Sequence, residues 1–291
     1  MAVNEKEIKE IVKKHYSDLV KREGSSCCGE STAKSCGEQD LLTKADKEKF
    51  AKAIGYTDEE LAELPQDAVD NAFGCGNPVA LAEIREGDVV LDIGSGAGID
   101  VILASGKAGP TGKVIGLDML PDMIEKAKEN IEEAGIENVE FRMGEAEAMP
   151  VEDNSVDIII SNCVINLAPD KSEVFREAFR VCRDGGRLMV SDIVILDMPQ
   201  ALRQDINSWA SCIGGAIPEA EYTGAIREAG FGDVRIVARS DFTGKVLKGW
   251  LGGTLDGMTP EARDRIVKEL DRDEPVLSSI KVRAVAKKGC C

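Results

Sequence analysis

Residues 89–100 read VVLDIGSGAGID: an apolar run, an acid, then three glycines at alternate positions where a new element begins. Val89, Val90, Leu91 and Ile93 suit a strand buried on both faces. Gly94, Gly96 and Gly98 permit a turn so tight that a ligand can touch the backbone. The stretch predicts a parallel strand with a nucleoside-bearing cofactor at its carboxyl end.

The chain downstream alternates strand and helix. A helix over 99–105 leads to the apolar strand of KVIGLDML, which ends at Asp118, followed by a helix over 121–134 and strands over 139–143 and 156–161. That last strand runs into Asn162 and Cys163, and a helix over 171–182 and a strand over 187–192 follow. This order predicts an α/β protein whose mostly parallel, Rossmann-like sheet carries helices on both faces. Ligands in such sheets bind at the carboxyl ends of the strands, where Gly94, Asp118, Glu145 and Cys163 all fall. Asp118, about 20 residues past the glycines, is placed to accept hydrogen bonds from ribose hydroxyls. Loop acids or helix caps are the plainer alternatives for Asp92 and Asp118.

The flanks read differently. Ile8, Ile11, Val12, Tyr16 and Leu19 recur at helical spacing within 4–20, an amphipathic helix with His15 beside its stripe and no chemistry assigned to it. Residues 24–39, GSSCCGESTAKSCGEQ, form a loop carrying Cys27, Cys28 and Cys36. A short helix falls within 56–65. Cys75 lies between Gly74 and Gly76 in a loop, and a helix over about 78–84 leads into the first strand. Beyond Asp192 come a helix containing Trp209, the phrase SCIGGAIP with Cys212, a helix ending at Gly230, and strands over 234–238 and 280–286. A cap over 242–279 holds a helix at 260–270, and the chain closes on Cys290 and Cys291. The domain reading is an arm over 1–60 with the first helix and the cysteine loop, a core over 61–240, and a cap with the last strand and tail over 241–291.

A net charge of −17 argues against nucleic acid or an anionic membrane as partner, because both require a basic face. No apolar stretch reaches the roughly 18 to 20 residues that span a bilayer, and MAVNEKEIKE lacks a signal-peptide core. A cytoplasmic protein is expected. Its nine cysteines then read as thiols rather than structural disulfides. With a single histidine, chemistry built on several imidazoles is excluded.

The GSGAG spacing differs from the GxGxxG of nicotinamide and flavin enzymes and resembles that of the class I S-adenosylmethionine-dependent methyltransferases. The phrases GCGNP, GKVIGLDM, SNCVINLAPDK and SCIGGA narrow the resemblance to the microbial arsenite methyltransferases, over most of residues 61–230. The wider resemblance implies that Asp92, Gly94 and Gly96 contact S-adenosylmethionine, that Asp118 holds its ribose and that Met119 lies against its adenine. Glu145 and Ala146 would address the adenine edge, and Asn162 would close the pocket. It also implies an antiparallel seventh strand, for which 280–286 is the candidate. The narrower resemblance implies that Cys75, Cys163 and Cys212 bind trivalent arsenic, with Cys27 and Cys28 as an additional pair.

Physical chemistry agrees with that implication. Trivalent arsenic is soft, so thiolates are its natural ligands, and its remaining lone pair is itself a nucleophile that needs no general base. Catalysis would be mainly proximity and alignment. The expected reaction is methyl transfer from S-adenosylmethionine to thiol-bound arsenite, giving methylated arsenicals for detoxification. Methyl transfer leaves arsenic pentavalent, so small thiols or a thioredoxin-type reductant would return two electrons per cycle, with Cys27 and Cys28 as the relay. Cys36 is a candidate resolving thiol, and Cys290 and Cys291 a candidate outer dithiol. Cys182 reads as a small buried hydrophobe. The alternatives are a methyltransferase acting on carbon of a quinone or sterol type of acceptor, which would not require the cysteines, and a non-catalytic metalloid or redox sensor.

Overall fold

Strand β1 (Val89–Ile93) is buried from Val90 onward, and its alternate side chains feed two cores. Leu91 and Ile93 pack with Leu117, Ile159, Phe175 and Tyr222 on one face, while Val90 packs with Val101, Val114, Ile158 and Ile160 on the other. Period-two alternation of apolar residues therefore forces helices onto both faces. Each fully buried Leu, Ile or Phe contributes about 1.5–3 kcal/mol. The computed structural model describes residues 4–23, 44–71, 74–198, 213–250 and 259–289.

Among the described residues four helices precede β1: α1 (Glu5–Glu23), α2 (Lys44–Ile54), α3 (Asp58–Ala62) and α4 (Gln66–Asp70). After β1 the chain alternates through α5 (Ile99–Ala108), β2 (Lys113–Asp118), α6 (Pro121–Glu133), β3 (Val139–Met143), β4 (Val156–Asn162), α7 (Lys171–Val181) and β5 (Cys182–Ile195). A two-residue strand, β6 (Ile217–Pro218), pairs with β5. Helix α8 (Glu219–Glu228), β7 (Phe231–Thr243), helices α9 (Gly244–Trp250) and α10 (Pro260–Leu270), and β8 (Pro275–Ala286) complete the described elements.

The sheet order is β3-β2-β1-β4-β5-β8-β7, parallel from β3 through β5. The last strand enters between β5 and β7 and runs antiparallel to both. This is the Rossmann-like arrangement that the alternation predicts, with 280–286 as the inner part of the expected antiparallel strand. Insertion next to β5 makes β8 a buried strand, with Val276, Leu277, Ile280, Val282, Ala284 and Ala286 all inaccessible.

Two expectations need correction. No helix forms over 78–84: a single turn is closed by the Leu81 N–H to the Pro78 carbonyl at 3.2 Å, and Glu83 then takes a left-handed φ of 54°. A left-handed residue cannot continue a right-handed helix, so the chain leaves the helical path at Glu83 after that one turn. Strand β5 is more than twice the expected length, because β4 supplies a ladder partner before the predicted start, at Cys182, and β8 supplies partners past the predicted end, through Ile195. The expected helix around Trp209, the loop over 24–39 and the final two cysteines lie outside the described residues.

The C-terminal elements close the sheet's working edge. Leu247, Ile266 and Leu270 from α9 and α10 pack with Ile193, Ile195, Val276 and Leu277, and Cys163 belongs to the same cluster. Among the described residues no helix is long and apolar enough to cross a membrane.

Candidate active site

The glycine turn folds as its composition requires. Gly94, Gly96 and Gly98 take φ of 74°, 52° and 93°, values that a side chain strains to adopt. Gly94 also lies so near Val164 that a Cβ would meet its methyl carbon at 2.2 Å. The Leu117 carbonyl accepts the N–H groups of Gly94 and Ser95 at 2.7 and 2.9 Å, which ties the turn to β2. A pocket opens above it at the carboxyl ends of β1, β2 and β4, lined by the turn, Asp118, Met119, Ala146, Asn162 and Cys163, and roofed by Lys9, Val12 and Tyr16 of α1.

Asp118 accepts the Gly96 N–H on Oδ2 at 3.0 Å and the Leu120 N–H on Oδ1 at 2.9 Å. The Met119 N–H also turns toward this carboxylate, and of its roughly four accepting positions at least one is left for a ligand hydroxyl. Burial raises its pKa, and these backbone donors oppose the rise. Asp92 is 2 % exposed, and burial, with the charges of Asp100 and Asp118, holds its carboxyl well above the usual range. Asp92 Oδ1, Ser95 Oγ and Asn71 Oδ1 are buried in this lining without a hydrogen-bond partner among the described residues. Orphaned buried acceptors cost about 1–3 kcal/mol each. Such a pocket fits a ligand that brings hydrogen-bond donors and positive charge, as S-adenosylmethionine does with its ammonium, sulfonium and ribose hydroxyls.

Asn162 holds the pocket wall to the cysteine loop. Its Oδ1 accepts the N–H groups of Cys75 and Gly76 at 2.9 and 3.2 Å, and its Nδ2 donates to the Gly76 carbonyl at 2.6 Å and to Asp100 at 3.0 Å. Tyr56 donates to the other Asp100 oxygen at 2.8 Å. Burial pushes Asp100 up to about 6, against the pull of the Asn162 and Tyr56 hydrogen bonds. The loop passes so close that a Cβ on Gly74 would meet the Asn162 amide at 2.3 Å, and one on Gly76 would meet Ser191 Oγ at 2.0 Å. From the far side, Ser279 Oγ donates to the Cys75 carbonyl at 2.8 Å and accepts from Lys281 Nζ at 3.2 Å.

Cys163 caps β4 in a left-handed conformation, φ 62°, with its N–H on the Ser191 carbonyl at 2.8 Å. A non-glycine residue held there costs of order 1–3 kcal/mol and is kept where the surroundings demand that side-chain direction. The result is a cluster at the ends of β4 and β5. One ligand atom from each of Cys75, Cys163 and Asp192 lies within 4.8 Å of the other two. Asp192 is 1 % exposed and accepts the Ile193 N–H on Oδ1 at 3.1 Å, and the Asn166 N–H and Tyr222 hydroxyl on Oδ2 at 3.2 and 3.1 Å. Burial pushes its carboxyl up to about 7, opposed by the Ile193 N–H and by the charge of Lys171.

Of the residues singled out by sequence, Asp92, Gly94, Gly96, Asp118, Met119, Ala146, Asn162 and Cys163 line one pocket. Cys75 sits behind Asn162 and meets Cys163 at the adjoining cluster. Glu145 is not brought into the lining. Its carboxylate is taken by Lys9 and Lys13 of α1 at 2.8 and 3.0 Å, and the neighbouring Glu147 lines the pocket instead. Cys212, Cys27 and Cys28 lie outside the described residues. Sequence reasoning missed Asn71, Tyr56, Asp100, Asp192 and Tyr222. For Asp192 the signal was present as an acid inside the apolar run LMVSDIVI, and for Asp100 as an acid in the first turn after the glycines.

Comparison with known proteins decides the family. A family model described as "Methyltransferase domain" matches residues 84–230. The solved arsenic (III) S-adenosylmethionine methyltransferase of Chlamydomonas reinhardtii superposes with a TM-score of 0.64 at 32% identity, covering 80% of this chain and 74% of that one. The chain belongs to the arsenite methyltransferase family. The arsenite methyltransferase of Halobacterium salinarum is 43% identical over 219 residues, 73% of this chain and 56% of that relative. The mouse arsenite methyltransferase is 34% identical over 225 residues, 73% of this chain and 59% of its own length. The chain thus spans somewhat over half of these two curated relatives.

Proposed function

We propose that this chain methylates trivalent arsenic held by its own cysteines, with S-adenosylmethionine as methyl donor. The observation that carries the reading is the meeting of Cys75 and Cys163 beside a pocket whose wall includes Cys163 itself. When bound, the cofactor supplies an electrophilic methyl group on sulfonium sulfur. Asp92 and Asn71 offer buried acceptors for its ammonium group, Asp118 for its ribose, and Met119 and Ala146 an apolar bed for its adenine. These assignments rest on the unpartnered acceptors and on the chemistry of the lining.

The thiolates of Cys75 and Cys163 hold the substrate, and Cys212 supplies the third sulfur. The arsenic lone pair is the nucleophile, so the residues around it need to orient and to exclude water rather than to remove a proton. Asn162 serves both tasks, because it spans the cofactor wall and the Cys75 backbone. Small thiols or a thioredoxin-type protein restore trivalent arsenic, with Cys27 and Cys28 as the internal relay. A carbon-directed methyltransferase would gain nothing from this thiol cluster.

Incubation of the purified protein with labelled S-adenosylmethionine, arsenite and a thiol, followed by arsenic speciation, tests the reading. Label appearing in methylated arsenicals, and lost in Cys163→Ser, is the expected result. Absence of labelled arsenicals while the protein binds cofactor would overturn it.

A further inference from the structure

Asp192 has no place in a site built only from three thiols, yet its carboxylate is buried against two of them. A carboxylate has about four accepting positions. Ile193 occupies one on Oδ1, and Asn166 and Tyr222 occupy both on Oδ2, leaving the second position on Oδ1 without a described donor. Hard oxygen is a poor ligand for arsenic beside two thiolates, so direct coordination is not its use.

Binding chemistry supplies a donor for that position. Each thiol displaces one hydroxyl of As(OH)3: an As–O bond breaks, an As–S bond forms, and the thiol proton leaves with the hydroxyl as water, without redox change. After Cys75 and Cys163 have reacted, arsenic carries two sulfurs and one hydroxyl. We propose that Asp192 is a substrate-binding group that accepts the hydrogen bond of this remaining hydroxyl, and so favours inorganic arsenite over methylated trivalent arsenicals at the two-thiol stage. Methylarsonous acid, CH3As(OH)2, loses both hydroxyls to the same two thiols and presents a methyl group of similar size. Such a methyl buries the carboxylate against carbon and offers it no donor. The third thiol later displaces the arsenite hydroxyl as water, which releases Asp192. The inference rests on the arsenical reading of the site proposed above.

The test uses full-length Cys212→Ser protein, which stops loading at two thiols, and compares arsenite with methylarsonous acid by calorimetry without cofactor at pH 8, where the Asp192 carboxyl is mostly ionised. In the Asp192→Asn, Cys212→Ser protein, arsenite affinity is expected to fall about tenfold or more, as for loss of a hydrogen bond to a charged group. Methylarsonous acid affinity should stay within about twofold. An equal change for both ligands, or no change for either, overturns the proposal. Dithiothreitol, a dithiol with no carboxylate, provides a second measurement that does not depend on the folding of the Asp192 variant. Cys212→Ser protein should prefer arsenite to methylarsonous acid about tenfold more strongly than dithiothreitol does, and a ratio equal to that of dithiothreitol overturns the proposal. If neither arsenical binds the wild-type chain, the arsenical reading itself fails and this inference with it.

Discussion

Asn162 accepts the backbone N–H of Cys75 at 2.9 Å while lining the pocket above the glycine turn. One amide therefore joins the cofactor wall to the loop that carries the first thiol. The link is strengthened from behind, because its Nδ2 also meets the buried carboxylate of Asp100.

Replacing Asn162 with alanine should damage both halves of the site together. The Cys75 and Gly76 N–H groups lose their acceptor and Asp100 loses a donor, at about 1–3 kcal/mol for each group left buried and unpaired. Calorimetry should find both cofactor and arsenite affinity reduced by an order of magnitude or more. A fall in only one of them would break the claimed link.

Strands β1, β2 and β4 were legible because each holds a short apolar run ended by a turn former, and β3 because apolar and charged residues alternate along it. Asp92 and Asp118 were legible because their distance from the glycines is local. What could not be read depends on residues far apart in the chain. Tyr56 meets Asp100 across 44 positions, and Ser279 reaches the Cys75 carbonyl across 204. The Glu145 expectation failed to anticipate α1, whose lysines take that carboxylate from more than a hundred residues away. Nothing in the period of an amphipathic helix says which surface it will roof.

Asp192 should make stability pH-dependent with a calculable sign. Its folded-state pKa, about 7, lies above the ordinary 3.8, so the folded chain holds a proton that the unfolded chain releases. Stability is then highest below the unfolded value and declines as pH rises through the interval from about 4 to 7, by up to about 4 kcal/mol from this one group. Denaturant titrations of the unliganded protein between pH 5 and 8 should show a decline that is shallower in Asp192→Asn, the remainder coming from Asp92 and Asp100, whose carboxyls burial also raises. Parallel pH profiles for the two proteins would contradict the assignment.

Lys9 reaches Glu145 and Glu147 at 2.8 and 3.1 Å, and Lys13 reaches Glu145 at 3.0 Å, so α1 is fastened over the pocket by ion pairs. Pairs this exposed contribute about 0.2–1 kcal/mol and weaken with salt. Cofactor affinity should drop a few-fold between low and high ionic strength in the wild type. In Lys9→Ala, Lys13→Ala protein it should start lower and vary less with salt.

Cys182 should behave unlike the site thiols. Burial pushes its pKa up to about 12, so almost none of it is thiolate at neutral pH. Alkylation of the folded protein should leave Cys182 unmodified, and Cys182→Ala should retain arsenite affinity within about twofold, as expected for a thiol outside the site. Rapid labelling of Cys182 under native conditions would show that the strand opens.

Gly76 offers a test of geometry that leaves every sulfur in place. A Cβ there would meet Ser191 Oγ at 2.0 Å, Ser191 Cβ at 2.9 Å and Lys281 Cε at 2.8 Å. The lysine end can swing aside, whereas Ser191 is fixed in β5, where it pairs with Asn162 of β4 and Lys281 of β8. Gly76→Ala must therefore lift the loop and carry Cys75 away from Cys163. Two thiols that no longer converge lose the gain of closing a chelate, so arsenite affinity should fall at least tenfold. Cofactor affinity should fall less than arsenite affinity, because Asp92, Asp118 and the glycine turn are untouched although Asn162 and Gly74 line the same pocket. Adding Ser191→Gly removes both colliding atoms and should restore most of the arsenite affinity. Failure of that rescue, with the double variant folded, would mean that close approach of the loop to β5 is not what sets the spacing of the two thiols.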